Sequence, residues 1–405
     1  MNQSPITSKA PSRIEFIILM SVIVAVDALA IDGILPALSH ISHEFGISEG
    51  NDRQYIVTSI FIGYAFGVML FGVASDSFGR KRPIYVGFII FLIGTVITVF
   101  ASSFSMLLAG RVLQGVGAAG PQVIPTAITR DMYKGRGMAE VMSLIMMVFL
   151  MVPAFAPLIG QGILMISSWQ GIFIMLGVYA SLAFVWFAIR QPETLPPEKR
   201  VPFSVKQISA SVKEVFRNQP AVKYMVAEGL TFAAVLAYIT MAQQVFQEHY
   251  QLGERFPLYF GGLALVMMLA SFVNSQLVER LGMRLLVLRG AAVLFAASLI
   301  YLAIILLNDQ SVPLWSFMLY AAMAYFCFGL LFGNMHSLAM EEVGHIAGVA
   351  ASVVGSVSVL IATILGGIIG SFYNDSITPV VLGFGILMVP IIYISWSDKR
   401  DATAG

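Results

Sequence analysis

The first long apolar run of the sequence ends in AVDALAIDGILPA and carries two carboxylates, Asp27 and Asp32. Packing alone does not explain two acids in one hydrophobic helix. Burial penalises the charged form of a carboxylate. An acid held near neutrality can load and release a proton as its surroundings alternate, which is the chemistry of a proton-coupled carrier. Their five-residue spacing sets the side chains ~140° apart around a helix, so only one faces a central cavity squarely. For Asp27 a structural hydrogen bond to a neighbouring helix is the competing reading. A third charge, Arg111, lies in the run LLAGRVLQGVGAAGP. A guanidinium at mid-membrane costs about 3 kcal/mol or more unless paired or hydrated. The alternative is that it snorkels to the outer interface, because its run starts near Phe104. Gly115, Gly117 and Gly120 on the same run offer a small-residue surface for close helix packing.

Other polar and aromatic residues in apolar runs are candidates for a binding wall. Tyr64, Gln114, Met146, Glu228, Tyr238, Tyr325 and Phe328 suit a lipophilic ligand. Glu228 follows Lys223 by five residues and either pairs near the membrane surface or serves the site. Gln243, Gln244, Asn334 and His336 either line a cavity or cross-link helices. His40 and His43 are three residues apart with no third ligand near, so no metal is expected. The single cysteine, Cys327, sits in an apolar run as an inert packed thiol. The sequence contains no nucleophile–base pair and no phosphate-cradling Walker sequence. Neither an enzyme nor direct use of ATP is expected, and no cofactor.

The elements that position these residues follow from composition. Hydrophobic residues make up 58% of the 405 and charged residues only 11%, against about a quarter charged in a soluble chain. The bilayer is the solvent that fits. A formal charge of +1 gives no reason to expect nucleic acid. Twelve apolar runs reach spanning length, at roughly 14–37, 54–74, 83–101, 105–129, 138–164, 170–190, 223–246, 257–278, 285–307, 314–338, 346–372 and 378–397. The first follows Lys9 and Arg13 but is long and lacks a small-residue cleavage site, so it reads as a spanning helix and not a signal peptide.

Lysine and arginine cluster in alternate connections. Placing both termini in the cytoplasm collects Arg80, Lys81, Arg82, Arg130, Lys134, Arg136, Arg280, Arg284, Lys399 and Arg400 on the inner side, leaving Arg53 and Arg255 outside. The expected organisation is a six-helix bundle over 1–190, a cytoplasmic linker over 191–222 and a second bundle over 223–405. Within the linker, Val205, Ile208, Val212 and Val215 at helical spacing predict an amphipathic helix on the inner surface. Asp76-Ser77-Phe78-Gly79-Arg80-Lys81 and Glu279-Arg280-Leu281-Gly282-Met283-Arg284 share an acid, a glycine three later and following basic residues, half a chain apart. Internal repeats of this kind build many transporters, with the site between the halves.

The loop GVASDSFGRKRP, from Gly72 to Pro83, resembles the cytoplasmic signature of the major facilitator superfamily, with Ser77 where the pattern has a basic residue. Gly79 permits a sharp turn, and Asp76 can pair with Arg80 or Arg130, or cap a neighbouring helix. Arg111 followed by Gln114-Gly115 resembles a second superfamily signature, and Asp32–Pro36 the first-helix one, which favours Asp32 as the proton carrier. MVPAFAPLIGQG resembles a degraded antiporter signature in which Ala156-Pro157 and Gly160 match, while Pro153 and Pro157 bend the helix. With Arg130-Asp131-Met132-Tyr133, Trp169, Phe173 and Pro192-Glu193-Thr194, the chain resembles the Bcr/CflA drug-resistance branch, most densely over residues 27–194.

That resemblance implies an all-α membrane protein of twelve helices in two pseudo-symmetric bundles, in a bacterial inner membrane, acting as a monomer. It implies proton-driven export of amphiphilic small molecules by alternating access. Asp32, Asp27 and Arg111 would couple the proton. Gly72, Asp76, Gly79, Arg80, Arg130, Pro153, Pro157 and Gly160 would gate the cavity. A metabolite or siderophore exporter, or a proton symporter, is the alternative reading, since one fold hosts many functions.

Overall fold

A computed structural model describes residues 11–47, 51–309 and 311–398; Lys9, Glu49, Lys399, Arg400 and both chain ends lie outside them. The described residues are helical, with no strand among them. The first bundle holds α1 (Arg13–Asp32), short α2 (Leu38–Glu44), α3 (Tyr55–Phe78), α4 (Lys81–Val99), α5 (Phe104–Met132), α6 (Gly135–Leu164) and α7 (Trp169–Arg190). After α8 (Val205–Arg217), the second holds α9 (Gln219–Gln243), α10 (Phe256–Leu281), α11 (Met283–Leu307), α12 (Leu314–Met340), α13 (Ala347–Ser371) and α14 (Thr378–Ser397).

Among the described residues, eleven helical segments are long and apolar enough to cross a membrane. The expected run at 105–129 is not among them, because Arg111, Gln114, Gln122 and several glycines dilute it. Nevertheless α5 packs closely against α3 and α4 and completes the twelve. Its glycines make this possible: a Cβ on Gly115 would strike the Ile60 carbonyl of α3, and one on Gly117 the backbone of Phe91 on α4. The first spanning segment is also not one rod. It breaks after Asp32, passes through a 3₁₀ turn at Leu35–Ala37 that contains Pro36, and resumes as α2. On α6 the small Gly160 takes the space beside this break, against the Gly33 carbonyl.

The internal repeat reappears as geometry. Gly79 ends α3 at φ +87° and Gly282 ends α10 at φ +75°, a region that favours glycine. Arg80 then pairs with Asp76 and with Asp131 at the end of α5, while Arg284 pairs with Glu341 at the end of α12 and with Asp398. The same turn and the same arginine–acid clamp thus recur in both bundles. The bundles meet chiefly where α3 packs on α13 and α6 on α10. The predicted amphipathic helix is α8, which buries Val215 and rests against α9 and α13.

Candidate functional site

A cavity of about 850 Å³ runs between the bundles. It extends from Asp27 and Asp32 on α1 to Asp76, Arg130 and Gly348 at the face that carries α8, called here the linker face. Its walls are largely apolar and aromatic, with Phe61, Phe149, Phe232, Phe260, Tyr325 and Phe332 among them. Asp27 and Asp32 are both buried, and each keeps a carboxylate oxygen without a hydrogen-bond partner. The Arg111 charge falls on Asp27, which also lies near the Tyr64 phenol. Asp32 instead feels the charge of Asp27, and its own charge reaches the phenols of Tyr238 and Tyr325, which belong to the other bundle.

Arg111 does not snorkel; it is fully buried. Its Nε donates to the Ile56 carbonyl at 3.1 Å, and its Nη1 to the Ala30 carbonyl at 3.0 Å and to Gln114 Oε1 at 2.9 Å. Gln114 passes the connection on to Thr95 Oγ1 at 2.9 Å. The guanidinium also lies 5.6 Å from the Phe173 ring centre. Two side chains on α5 therefore link four helices, Arg111 reaching α1, α3 and α7 and Gln114 reaching α4. Backbone carbonyls take up a charge that would otherwise be too costly there.

At the linker face, Arg80 donates from Nη1 to Asp76 Oδ1 at 2.6 Å and from Nε to Asp131 Oδ2 at 2.8 Å. Of the two arginines open to Asp76, it is Arg80 that pairs. Glu193, at the start of the linker, accepts from the backbone N–H groups of Arg80, Lys81, Thr194 and Leu195. Partial burial opposes ionisation of Glu193, yet these donors hold its carboxylate below the usual range. The Val201 N–H also donates to the Asp76 carbonyl, so the linker is docked on the hinge turn. Asp76 further abuts Gly348 at the N-terminus of α13, in the other bundle.

The opposite face is latched. Arg53 holds Glu248 and donates to Gln243 Oε1 at 2.9 Å. Gln54 donates to Gln244 Oε1 at 2.7 Å and to the Gly370 carbonyl at 3.0 Å. Asn51 donates to the carbonyls of Ser371 and Tyr373. Each of these bonds crosses from one bundle to the other. Of the C-half partners, Gln243, Gln244 and Glu248 sit where α9 gives way to a π-helical turn, Gln244–His249, a wide-turn geometry that often marks function, and Gly370, Ser371 and Tyr373 sit at or just past the end of α13.

Tyr64, Met146, Glu228 and Tyr325 line the cavity, and so do Gly72, Asp76, Arg130 and Pro153 of the expected gate. Gln114, Tyr238 and Phe328 do not. Gln114 is consumed by Arg111 and Thr95. Tyr238 is packed among Phe246, Phe260 and Tyr325, and Phe328 against Tyr325 and Phe384. Pro157 and Gly160 lie behind the wall, where α6 meets α1. Gln243 and Gln244 cross-link helices, one of the two roles the sequence left open for them, whereas Asn51, Arg53, Gln54 and Glu248 as latch residues and the capping role of Glu193 were missed by sequence reasoning. A polar Gln243, Gln244, Gln247, Glu248 cluster ending an apolar run was the available signal.

A profile of the Major Facilitator Superfamily matches residues 20–367. The chain belongs to the major facilitator superfamily. Superfamily members of similar sequence include a bicyclomycin resistance protein homolog of Haemophilus influenzae, 27% identical, the alignment covering 92% of this chain and 93% of that one. The multidrug resistance protein MdtL of Klebsiella pneumoniae is 26% identical, with 90% and 91% covered. These relatives match the resemblance to the Bcr/CflA branch. Among solved structures, the xylose transporter XylE from E. coli, in a partially occluded inward-open conformation, superposes with a TM-score of 0.72 at 12% identity, covering 98% of this chain and all of that one. The human organic anion transporter MFSD10 gives 0.68 at 17%, covering 95% of this chain and 100% of that one. The superfamily member described here is thus a multi-pass membrane transporter and not an enzyme.

Proposed function

We propose that this transporter exports amphiphilic small molecules from the bacterial cytoplasm in exchange for protons, as a monomer in the inner membrane. The observation that carries the reading is the pair of buried carboxylates, each with an unpartnered oxygen, on the wall of a largely apolar cavity between two bundles. The names of the resistance-protein relatives support the export reading. The clustering of basic residues supports placing the linker face, and both termini, in the cytoplasm. On that orientation the latch of Arg53, Gln54 and Asn51 closes the periplasmic side, and the cavity runs to the cytoplasm.

Transport then alternates between two arrangements of the bundles 1–190 and 223–405, joined by the linker 191–222. Substrate enters the cavity from the cytoplasmic face. Release of the latch exposes Asp32 to periplasmic protons; the protonated acid returns, and incoming substrate displaces its proton to the cytoplasm, which resets the cycle. Arg111 acts as the positioning residue that holds α1, and its charge falls on Asp27. Asp32 is the proton carrier in this scheme. The test is proton movement in everted membrane vesicles on addition of lipophilic candidates such as bicyclomycin-resistance and multidrug-resistance substrates. Asp32→Asn should abolish substrate-driven proton release while binding of the same compounds survives. Full proton-coupled transport by Asp32→Asn would remove the assignment, and loss with Asp27→Asn alone would transfer it.

A further inference from the structure

The cavity wall formed by the second bundle carries a polar pair that the proton cycle does not use. His336 Nδ1 on α12 lies 3.1 Å from Glu228 Oε1 on α9. The other carboxylate oxygen, Oε2, is buried with no partner. A carboxylate oxygen without a donor is an unfavourable arrangement that a ligand N–H can relieve. Both residues line the cavity.

One helical turn deeper on the same two helices stand Phe232 and Phe332, four residues from Glu228 and His336 respectively. Their rings meet edge to face at 5.8 Å, and Phe232 meets Phe61 of α3 at 5.7 Å in the same manner. An acid–imidazole layer therefore lies directly above an aromatic layer. The sign of the cavity agrees. Its charged lining residues are Asp27, Asp32, Asp76 and Glu228 against Arg130 at the rim and His336. Arg111 is not part of the wall.

We propose that Glu228, oriented by His336 and floored by Phe232 and Phe332, is a subsite for the protonated amine of an aromatic amphiphile. The inference rests on the reading of this cavity as the substrate site. The ammonium donates to Glu228 Oε2, while the ligand's apolar body packs on the phenylalanine rings, whose faces also attract the cation. The subsite lies on the second bundle, apart from the carboxylates of α1, so substrate and proton occupy different acids.

The test uses the purified full-length protein in lipid nanodiscs and two fluorescent probes. One is a naphthyl-alkyl dimethylamine, cationic at pH 7; the other is its uncharged carbon isostere. The wild type should bind the amine about tenfold more tightly, the value of one charge-assisted hydrogen bond. Glu228→Gln should remove that preference and leave the isostere's affinity within about twofold, which also shows that the variant is folded. Phe332→Leu should weaken both probes. An amine preference that survives Glu228→Gln overturns the subsite. Equal loss of both probes in Glu228→Gln also overturns it, since the residue is then structural. Equal binding of the two probes by the wild type overturns the amine inference and leaves the amphiphile reading standing. Binding of neither probe overturns both.

Discussion

The latch opposite the linker face gives a quantitative expectation for Arg53→Met. Arg53 makes a two-pronged contact with Glu248 and a third bond to Gln243, all across the interface between bundles. Its side chain is 13% exposed and that of Glu248 36%, so solvent screens the pair in part. A fully exposed pair contributes up to about 1 kcal/mol, and a two-pronged, half-buried one with an extra amide acceptor about 1 to 2 kcal/mol. Because every bond exists only while this face is closed, the whole loss falls on the closed state. The ratio of open to closed should rise about 5- to 30-fold. The assay is a distance measurement between spin labels at Ser102→Cys and Asn308→Cys, exposed positions on that face in the two bundles. The native Cys327 is buried and does not take up label. Arg53→Met and Glu248→Gln should each populate the longer distance, and the double variant should add little beyond either. Unchanged distance distributions, or fully additive effects, would refute the latch, because partners in one contact must couple.

At the linker face, Asp76→Asn should slow transport with little change in ligand affinity, because Asp76 pairs with Arg80 and abuts α13; loss of binding with turnover intact would contradict this. Gly348→Ala should also slow transport, since the added Cβ would meet the Asp76 carboxylate and displace it from its place between Arg80 and α13; normal turnover would show that the close approach is dispensable. Glu193→Gln should lower stability at pH 7 by about 1 kcal/mol or less after solvent screening, read as a slightly lower thermal midpoint. Since its folded pKa is depressed, that contribution is present above the ordinary value of 4.5 and is lost as pH falls through the lower folded value, so wild type and variant should converge in acid. A reporter active only outside the membrane, fused at Leu195, should be silent; a strong signal would reverse the orientation.

The architecture was legible because the bilayer imposes one simple demand, a run of about 20 apolar residues per span, and eleven of the twelve runs meet it. Phe104–Met132 falls short by composition, and its reason is tertiary. Arg111 and the glycines of α5 are tolerated because neighbouring helices close around them. Hydropathy of a single segment does not register such partners. The break after Asp32 was signalled only by Pro36, while the π-helical turn at Gln244–His249 left no local mark. Pairings across hundreds of residues, such as Asn51 with Ser371 or Gln54 with Gln244, depend on how the bundles dock. No periodicity within one helix contains that information.

The two acids of α1 show the same division between what spacing reveals and what docking decides. Spacing places Asp27 and Asp32 on different sides of one helix, but not which neighbour each meets. In the structure Asp27 also lines the cavity, but the charge of Arg111 that acts on it and the Tyr64 phenol that feels it both belong to its own bundle. Those neighbours travel with it when the bundles move as bodies. Asp32 sits where α1 ends, and the phenols its charge reaches, Tyr238 and Tyr325, come from the opposite bundle. Tyr238 keeps a buried hydroxyl with no partner. A rigid-body rearrangement therefore changes the surroundings of Asp32 far more than those of Asp27. Coupling a proton to transport requires a group whose environment differs between the two states, since a group treated equally by both shifts neither. On this argument the asymmetry lies in the partners and not in the acids, and it supports the proposal that Asp32 is the proton carrier.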